Sequence, residues 1–479
     1  MYNFAVILAG GIGSRLFPLS RVSYPKQFLK IFNNKSLLRL TYERILNNFD
    51  DILICSTFNY KHLIEKENID KEKIILEPES VNTAGAILLS VKYVLFKYNL
   101  KEANFIFLPS DHFIFNKTEF LSSLKKGLDY TSIGVITIGV KPDHPSTNYG
   151  YIKLSNLIED NVFKVEKFIE KPNKSKAKYY LKSNNYLWNS GIYIFNSSFL
   201  LEDFYQINPD FRSYINFSYQ DLLNNYKSIP KISIDYAYSE KSQNLLVVKS
   251  NFRWSDVGTF EEISKIYQYL ETNETNNYNS DNKNNQNQSN QDQNNQNQGN
   301  GVFKINSNSF LIKDNENLKN KKYCFIDCND LIVVDTSDFL LVSKKNSSFK
   351  IKDILNKIDP EVLKYNVFDY RPWGYYKELD KDLNKYRVKF ISVYPKQELS
   401  LQYHNFRKEY WFILKGSGVV IINDKEILVK ENDIIDIPYK AAHSIKNTGD
   451  IDLEFIEIQV GEKLLEDDIV RIRDIYQRV

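Results

Sequence analysis

Short apolar runs alternate with amphipathic stretches along the first part of the chain. Runs of about five apolar residues are typical of buried strands, whereas apolar positions three and four residues apart are typical of helices. We predict strands at Phe4–Leu8, Ile52–Ser56, Asn104–Leu108 and Val135–Gly139, and helices at Ser36–Asn47, Thr83–Tyr98 and Leu121–Leu128. Strands that alternate with helices indicate an α/β domain with a mixed, mostly parallel sheet, which we assign to residues 1–270.

The last part of the chain has a different pattern. From residue 361 onward, closely spaced short strands predict an all-β domain, a small barrel or jelly roll. The predicted strands are Lys389–Tyr394, Tyr410–Leu414, Val419–Ile422, Ile427–Val429 and Leu453–Val460. Residues 301–360 form a short β connector with predicted strands at Leu331–Asp335 and Phe339–Ser343 and a helix at Phe349–Ile358.

Residues 271–300 separate these regions and have an unusual composition. Asn and Gln occupy 15 of the 20 positions from Asp281 to Asn300. Such a segment cannot bury apolar surface, so we predict a disordered insertion. A tolerated loop expansion is favoured over a prion-like role.

Composition narrows the class of protein. The 479 residues are 42% hydrophobic and carry a net charge of only +3, which argues for small-molecule substrates and against nucleic-acid or membrane-surface partners. Three cysteines fit a reducing compartment rather than a disulfide framework. No signal peptide or membrane span is evident, so we expect a soluble, cytoplasmic protein. The oligomeric state stays open, with a homo-oligomer among the possibilities.

A glycine loop follows the first predicted strand. It contains Gly10, Gly11 and Gly13, and Arg15 and Lys26 come shortly after it. Glycines let backbone N–H groups approach phosphate oxygens, and the two cations could neutralise a polyphosphate. The loop is neither a dinucleotide fingerprint nor a P-loop, because the third glycine and the Gly-Lys-Ser/Thr ending are absent. A tight turn with incidental basic residues is the alternative.

Two carboxylates and a lysine are further candidates. Asp111 follows a predicted strand, and Asp256 lies in Trp254-Ser255-Asp256-Val257-Gly258; together they could hold Mg²⁺ against a triphosphate. Asp256 could instead only form a turn. Lys171 precedes Pro172, which favours an extended backbone and a fixed positive charge for a sugar phosphate. The alternative is a solvated surface lysine.

These motifs occur together in one known superfamily. The glycine loop, Pro25-Lys26-Gln27, Glu170-Lys171-Pro172, Trp188-Asn189-Ser190-Gly191 and the Asp256 motif resemble the sugar nucleotidyltransferases, whose domain is Rossmann-like. Glu77-Pro78 and Asn82-Thr83-Ala84 resemble the mannose-1-phosphate guanylyltransferase branch, in the long bacterial form fused to a mannose-6-phosphate isomerase. The resemblance covers nearly the whole chain except the insertion.

The resemblance implies a role for each residue. Gly10, Gly11, Gly13 and Arg15 would bind GTP, Lys26 would stabilise charge on the α-phosphate, and Asp111 with Asp256 would hold Mg²⁺. Glu170, Lys171 and Asn189 would contact mannose 1-phosphate. The sugar-phosphate oxygen attacks the α-phosphate in line and pyrophosphate leaves, so catalysis is mainly positioning and electrostatics. A transferase that uses UTP or glucose 1-phosphate is the alternative.

The C-terminal domain contains a candidate metal site. Gln402, His404, Glu409 and His443 offer an amide, two imidazoles and a carboxylate, which suit Zn²⁺ or a similar divalent ion. We expect the first three on adjacent strands and His443 on a later strand, all facing the barrel interior. The alternative is a pair of core histidines and a surface carboxylate.

The spacing of these residues resembles the two cupin motifs of metal-dependent phosphomannose isomerases. The implied reaction interconverts mannose 6-phosphate and fructose 6-phosphate, with Arg407 or Arg478 holding the phosphate or the enediolate. Asn405, Phe406 and Tyr410 stand where the family has histidines, and Lys440 replaces a cupin glycine. Two hypotheses for this domain follow: a metal-dependent isomerase, or a non-catalytic binding or assembly module.

Overall fold

The computed structural model describes residues 1–11, 13–281, 302–313 and 321–476. The chain divides into two compact units. The N-terminal unit contains Met1–Gly13 and Pro25–Asn284, and the C-terminal unit contains Ser14–Tyr24 and Asn285–Val479. The short segment that follows the glycine loop is therefore part of the C-terminal unit.

A nine-stranded sheet forms the centre of the N-terminal unit, with the order β3-β2-β1-β4-β9-β6-β10-β8-β7. The strands of this unit are β1 (Asn3–Leu8), β2 (Asp51–Thr57), β3 (Ile74–Glu77), β4 (Asn104–Pro109), β5 (Phe113–Ile114), β6 (Val135–Val140), β7 (Tyr151–Glu159), β8 (Val162–Ile169), β9 (Tyr186–Asn196), β10 (Leu245–Ser250) and β11 (Trp254–Ser255). The short strands β5 and β11 pair with each other outside the large sheet.

The large sheet confirms the predicted α/β class and its mixed character. Parallel pairing runs unbroken only across β3-β2-β1-β4 and recurs between β6 and β10. The other neighbouring pairs are antiparallel: β9 enters between β4 and β6 in the opposite direction, and the β10–β8 and β8–β7 pairs are antiparallel as well. The sheet is therefore less parallel than the sequence pattern suggests.

Nine helices pack around this sheet in the described part of the unit. They are α1 (Leu37–Ile45), α2 (Lys61–Glu65), α3 (Asn82–Lys97), α4 (Lys117–Leu128), α5 (Lys174–Ser183), α6 (Ser197–Ile207), α7 (Arg212–Asn216), α8 (Tyr219–Asn224) and α9 (Phe260–Asp281). Side-chain oxygens of Ser36, Asn116 and Asn173 accept hydrogen bonds from the backbone N–H of the third residue of α1, α4 and α5, which fixes where these helices begin. Among the described helices, none has the length and apolar character needed to cross a membrane.

Aromatic packing holds the middle of this sheet together. Phe105 and Phe107 on β4 stack on Phe195 of β9, with ring centroids 6.1 and 5.5 Å apart. These side chains are almost fully buried, and each contributes roughly 1.5–3 kcal/mol through its burial. The carboxyl ends of β1 and β4 extend from this packed centre and are followed by the loops that contain Gly10 and Asp111.

The predicted insertion overlaps a helix. Helix α9 continues to Asp281, so the first eleven residues of the predicted 271–300 insertion are helical. Residues 282–301 lie outside the described residues. The disorder of that part remains a prediction.

The connector is a set of short strands in the C-terminal unit. They are β12 (Val302–Ile305), β13 (Phe310–Lys313), β14 (Tyr323–Ile326), β15 (Leu331–Asp335) and β16 (Leu340–Lys344). The predicted helix at 349–358 is instead two 3₁₀ segments, Ser348–Asp353 and Leu355–Lys357. A short helix α10, Pro360–Lys364, follows them.

Two antiparallel sheets form the C-terminal sandwich, which confirms the predicted all-β jelly roll. One has the order β17-β18-β19-β26-β21-β24 and the other β23-β22-β25-β20-β27. The strands are β17 (Phe368–Arg371), β18 (Gly374–Asp382), β19 (Tyr386–Val393), β20 (Leu401–His404), β21 (Arg407–Lys415), β22 (Ser417–Ile422), β23 (Lys425–Lys430), β24 (Ile434–Ile437), β25 (His443–Asn447), β26 (Leu453–Gly461) and β27 (Ile469–Arg473).

The interior of the sandwich changes character along its strands. At one end Val393, Ile413 and Phe455 form an apolar core around Trp411. Alternate residues of a strand point to the same face, so the inward positions can be followed along each strand. Toward the other end these inward positions carry charged residues. Lys389 is one such residue. This charged end contains the candidate metal site.

Candidate functional sites

A cleft lies at the carboxyl ends of β1 and β4 in the N-terminal unit. Gly10, Gly11, Gly13 and Asp111 line it. Its volume of about 480 Å³ falls in the usual range for small-molecule sites. The cleft therefore has the position and the size of a ligand site in an open α/β sheet.

Glycine is required at the last position of the loop. Gly13 has φ +68°, and a Cβ there would lie 2.3 Å from Cβ of Lys26. The absence of a side chain lets the loop and Lys26 approach each other closely.

Lys26 joins the two predicted Mg²⁺ ligands. Its ammonium group donates to Asp111 Oδ2 at 2.6 Å and also to the backbone oxygen of Asp256. Lys26 is buried. Burial opposes ionisation of Asp111, but the charge of Lys26 prevails and lowers the pKa of this carboxyl. The structure thus brings Lys26, Asp111 and Asp256 together.

A second carboxylate supports the Asp256 loop. The Tyr149 hydroxyl lies 2.8 Å from Asp256 Oδ1 and 3.1 Å from Glu262 Oε1. Glu262 Oε2 accepts the backbone N–H of Gly258 at 2.6 Å. Burial, together with the charge of Asp256, raises the pKa of Glu262 to about 7. Sequence reasoning missed Glu262, although an acidic residue in the first turn of α9 was a visible signal.

Asn189 is fixed from several sides on β9. Its Oδ1 accepts from Thr137 Oγ1 at 2.7 Å, and its Nδ2 donates to Asp235 Oδ1 at 3.0 Å. Its backbone N–H donates to Gly150. A Cβ on Gly150 would lie 2.5 Å from Oε2 of Glu170, so a glycine permits this close approach. The predicted residues Asn189 and Glu170 therefore both lie close to Gly150, which sequence reasoning did not select.

The backbone of Lys171 differs from the prediction. Lys171 has φ +44°, a left-handed conformation, and not the extended one that the following proline favours. It lies in the turn between β8 and α5, where its Nζ pairs with Glu170 Oε1 at 2.6 Å. The ion pair and the turn override the local preference, and the lysine keeps an exposed charge beside Glu170.

Glu77 is a buried acid in the cleft. Its Oε2 accepts from the Tyr226 hydroxyl at 2.8 Å, and burial raises its pKa to about 7. In the sequence analysis Glu77 was only part of a motif, and no role was predicted for it.

Two predicted residues are not placed beside these groups. Arg15 is exposed and belongs to the C-terminal unit. Arg478 lies outside the described residues. Their proposed roles remain predictions.

Two histidines and a carboxylate meet inside the sandwich. His404 Nε2 lies 3.0 Å from Glu409 Oε1, and His443 Nε2 lies 3.6 Å from Glu409 Oε2. One ligand atom from each residue lies within 4.8 Å of the others. Burial opposes ionisation, but the two neighbouring histidines hold the pKa of Glu409 well below its usual value.

The donor set fits a divalent metal. His404 Nδ1 and His443 Nε2 are buried without a hydrogen-bond partner among the described residues, although buried polar atoms normally have one. Two imidazoles and a carboxylate are ligands that Zn²⁺ accepts. The unpartnered Nε2 of His443 lies 3.6 Å from Glu409 Oε2, so these two residues would be among those that hold such a metal.

Gln402 joins this group, but the strand arrangement differs from the expectation. Gln402 pairs with His443 across β20 and β25 and lines the same pocket as Glu409. Strands β20 and β21 are consecutive in sequence but lie in opposite sheets, not side by side. Gln402, His404 and His443 therefore lie on one sheet and face Glu409 on the other, because the turn at Asn405 carries the chain from one sheet to the other.

Cations surround this pocket. Arg371, Lys389, Arg407 and Arg471 line it together with Glu457 and Glu466. Arg407 Nε donates to Glu409 Oε1 at 3.2 Å, and Lys389 Nζ donates to Glu466 Oε1 at 2.5 Å. The sequence singled out Arg407, whereas Lys389, Glu457 and Glu466 carry no motif and were missed.

The three positions that depart from the family's histidines lie away from these ligands. Asn405 and Phe406 form the turn between β20 and β21, where both backbone N–H groups donate to the carboxylate of Asp468. Tyr410 alternates with the inward residues Glu409 and Trp411, so it lies on the outer face. The substitutions leave the inward donor set unchanged.

Comparison with known families identifies the two units. Residues 4–273 match the nucleotidyl transferase family, and residues 359–474 match the C-terminal domain of mannose-6-phosphate isomerase. The chain belongs to the nucleotidyl transferase family and carries a mannose-6-phosphate isomerase C-terminal domain.

The particular relatives are mannose-1-phosphate guanylyltransferases. The enzyme of Salmonella montevideo is 33% identical over 99% of this chain and 99% of its own length. Mannose-1-phosphate guanylyltransferase 2 of Escherichia coli O157:H7 is 32% identical over 99% of this chain and 98% of its own. A crystal structure described as mannose-1-phosphate geranyltransferase from Thermus thermophilus is 25% identical, covers 74% of this chain and 99% of that chain, and has a TM-score of 0.61. These findings confirm the family resemblance of the motifs.

Proposed function

We propose that the N-terminal unit transfers GMP from GTP to mannose 1-phosphate, giving GDP-mannose and pyrophosphate, and that the sandwich interconverts mannose 6-phosphate and fructose 6-phosphate. The full-length similarity to guanylyltransferases supports the first activity. The observation that carries it is the contact of Lys26 with Asp111 beside a glycine-lined cleft.

In the transferase site each group has a distinct task. Backbone N–H groups of Gly10, Gly11 and Gly13 bind phosphate oxygens, and Arg15 adds positive charge. Lys26 neutralises charge that develops on the α-phosphate during in-line attack. Asp111 and Asp256 are the residues that would hold Mg²⁺, which supplies further charge neutralisation at the triphosphate.

The sugar phosphate is bound by Glu170, Lys171 and Asn189. Thr137 and Asp235 hold the amide of Asn189 in one orientation, so it is organised before the sugar binds. Lys171 supplies the charge for the phosphate, and the Glu170 carboxylate accepts sugar hydroxyl groups.

Glu77 favours guanine over other bases. Its carboxyl oxygens can accept hydrogen bonds beyond the one from Tyr226, which suits the N1–H and 2-amino donors on one edge of guanine. Adenine lacks that pair of donors, and uracil offers only one N–H. This chemistry supports GTP over ATP and over the UTP alternative.

In the sandwich Gln402, His404, Glu409 and His443 would hold Zn²⁺ or another divalent metal. Such a metal stabilises negative charge on substrate oxygens. Arg407 binds the phosphate or the enediolate, and Arg478 is a second candidate for the same task. The alternative of a non-catalytic module was motivated by the replaced histidines, and their positions on the turn and outer face remove that motivation.

Pyrophosphate release tests the transferase. The full chain is incubated with Mg²⁺, mannose 1-phosphate and GTP, ATP or UTP in turn. We expect fast release with GTP alone, and its loss in Asp111→Asn. Asp160→Asn, an exposed carboxylate of the same unit, is the control and should remain active. Equal release with UTP, or full activity of Asp111→Asn, would contradict the assignment.

Metal content and isomerisation test the sandwich. Elemental analysis of the full chain, purified without added Mg²⁺, should find one divalent metal in the wild type and none in His443→Ala, while His62→Ala in α2 keeps it. Isomerisation of mannose 6-phosphate should follow the metal. A metal-free protein that still binds the sugar phosphate would favour the non-catalytic module.

A further inference from the structure

Glu457 lies inside the sandwich at the boundary between its charged end and its apolar core. It points inward from β26, where it lies opposite Lys389 on one neighbouring strand and Trp411 on the other. The next inward residue on β26 is Phe455, which is fully buried in the apolar core. Glu457 therefore forms the floor of the charged pocket, directly above the apolar layer.

The other carboxylates of this pocket have partners that keep them ionised. Glu409 faces His404 and His443 and belongs to the proposed metal set. Glu466 pairs with Lys389 at 2.5 Å, and burial is outweighed by its cations, so its pKa falls far below the usual range. Neither group is suited to gain and lose a proton near neutral pH.

We propose that Glu457 carries the proton between C1 and C2 of the hexose 6-phosphate in the isomerase reaction. This inference rests on the proposed isomerase function and adds the group that this function requires. The two imidazoles of the pocket face Glu409 as metal ligands, so they do not supply the shuttle. Glu457 lines the same pocket, lies outside the ligand set, and makes no ion pair within hydrogen-bonding distance with any residue that the structure describes.

Gln459 fixes the carboxyl in place. Its Nε2 donates to Glu457 Oε1 at 2.6 Å and lies 3.4 Å from Glu409 Oε1. This amide orients Glu457, and we assign the proton transfer to the other oxygen, Oε2. Burial favours the protonated form of this carboxyl and raises the pKa of Glu457.

The proton transfers balance without a co-reactant. The Glu457 carboxylate removes the proton from C2 of open-chain mannose 6-phosphate, and the C–H electron pair forms the C1–C2 double bond of an enediolate. The carboxylic acid then returns the proton to C1. The hydroxyl proton of O2 passes to O1, which leaves the C2 carbonyl of fructose 6-phosphate and the regenerated carboxylate.

Glu457→Gln in the metal-loaded full chain tests this role. The amide keeps the size of the side chain but cannot accept the proton. We expect kcat for isomerisation to fall by about 10²- to 10⁴-fold with little change in KM. Exchange of the C2 hydrogen with D₂O, followed by NMR, should stop as well. Glu457→Asp should retain part of both activities, and Glu454→Gln, on the outer face of β26, should retain them fully.

Each outcome decides one question. Isomerisation and exchange within threefold of wild type in Glu457→Gln would overturn the inference and leave the isomerase function standing. Loss of metal or of mannose 6-phosphate binding in that variant would also overturn it, because Glu457 would then act only structurally. A metal-loaded wild type without isomerase activity would overturn the proposed function itself and this inference with it.

Discussion

The Nζ atom of Lys26 lies 2.6 Å from Oδ2 of Asp111, and the lysine is buried. In a buried ion pair each charge compensates the other before any substrate arrives. The same two charges are suited to the two components of the transferase substrate, the cation that accompanies a triphosphate and the phosphate itself. The site therefore already contains one charge for each component, and binding would replace the contact between Lys26 and Asp111 with contacts to the substrate.

Lys26→Met should abolish most of the transferase activity. The change removes the cation that neutralises the α-phosphate and leaves Asp111 without its ammonium partner, so kcat for pyrophosphate release should fall by about 10²- to 10³-fold. Lys30→Met, an exposed lysine in the same loop region, should stay near wild type. Activity of Lys26→Met within threefold of wild type would exclude this role.

Glu77→Gln should make the protein more stable at high pH. The folded-state pKa of Glu77 is raised to about 7, so its contribution to the free energy of unfolding is full below about pH 4.5 and is lost as pH rises through 7. The amide has no charge to bury. Calorimetry at pH 5 and at pH 8 gives the Tm of the variant relative to wild type at each pH. This difference should be a few degrees more in favour of the variant at pH 8 than at pH 5. A constant difference would argue against the raised pKa.

Asp338→Asn should destabilise the C-terminal unit. Asp338 accepts from the buried Arg21 guanidinium at 2.9 and 3.2 Å, and Arg21 also stacks on Phe17 at 4.3 Å. Removing the negative charge leaves the guanidinium poorly compensated, which costs about 2–3 kcal/mol. Urea unfolding of the full chain measures it, with the exposed Asp353→Asn as the control. Equal midpoints for the two variants would contradict the expectation.

Lys440→Gly should stabilise the sandwich. Lys440 has φ +62°, a conformation that glycine adopts without steric cost, and its backbone N–H donates to the His404 oxygen at 2.9 Å. Glycine would relieve about 1 kcal/mol of strain while keeping that hydrogen bond. Thermal unfolding should show a higher midpoint for Lys440→Gly and none of this gain for Lys440→Ala. A lower midpoint for the glycine variant would show that the lysine side chain contributes more than the strain costs.

Local patterns predicted many elements well. The strand at Leu331–Asp335 has the predicted bounds, and α3 differs from its prediction by one residue at each end. Such elements depend on apolar periodicity and caps, which neighbouring residues determine. The direction in which β9 enters the sheet depends on pairing with β4 and β6, and no local pattern records it.

The candidate sites divide in the same way. Lys26, Asp111 and the cupin ligands were recognisable because each lies in a short motif. Glu262 and Glu457 were not, because their significance comes from burial and from partners distant in sequence. For Lys171 the local rule was wrong, since an ion pair with Glu170 and a turn outweigh the influence of the following proline.

Residues 14–24 give the chain an interlaced path. The chain leaves the N-terminal unit after Gly13, returns to it after Tyr24, and leaves it again between Asn284 and Asn285. A single cut in the Asn/Gln-rich segment therefore yields a first fragment that still contains Arg21 but has lost Asp338. Separating the two activities into independent polypeptides requires redesign of the glycine-loop region as well as a break at the obvious linker. A chain with this layout cannot be divided into its two units by truncation alone.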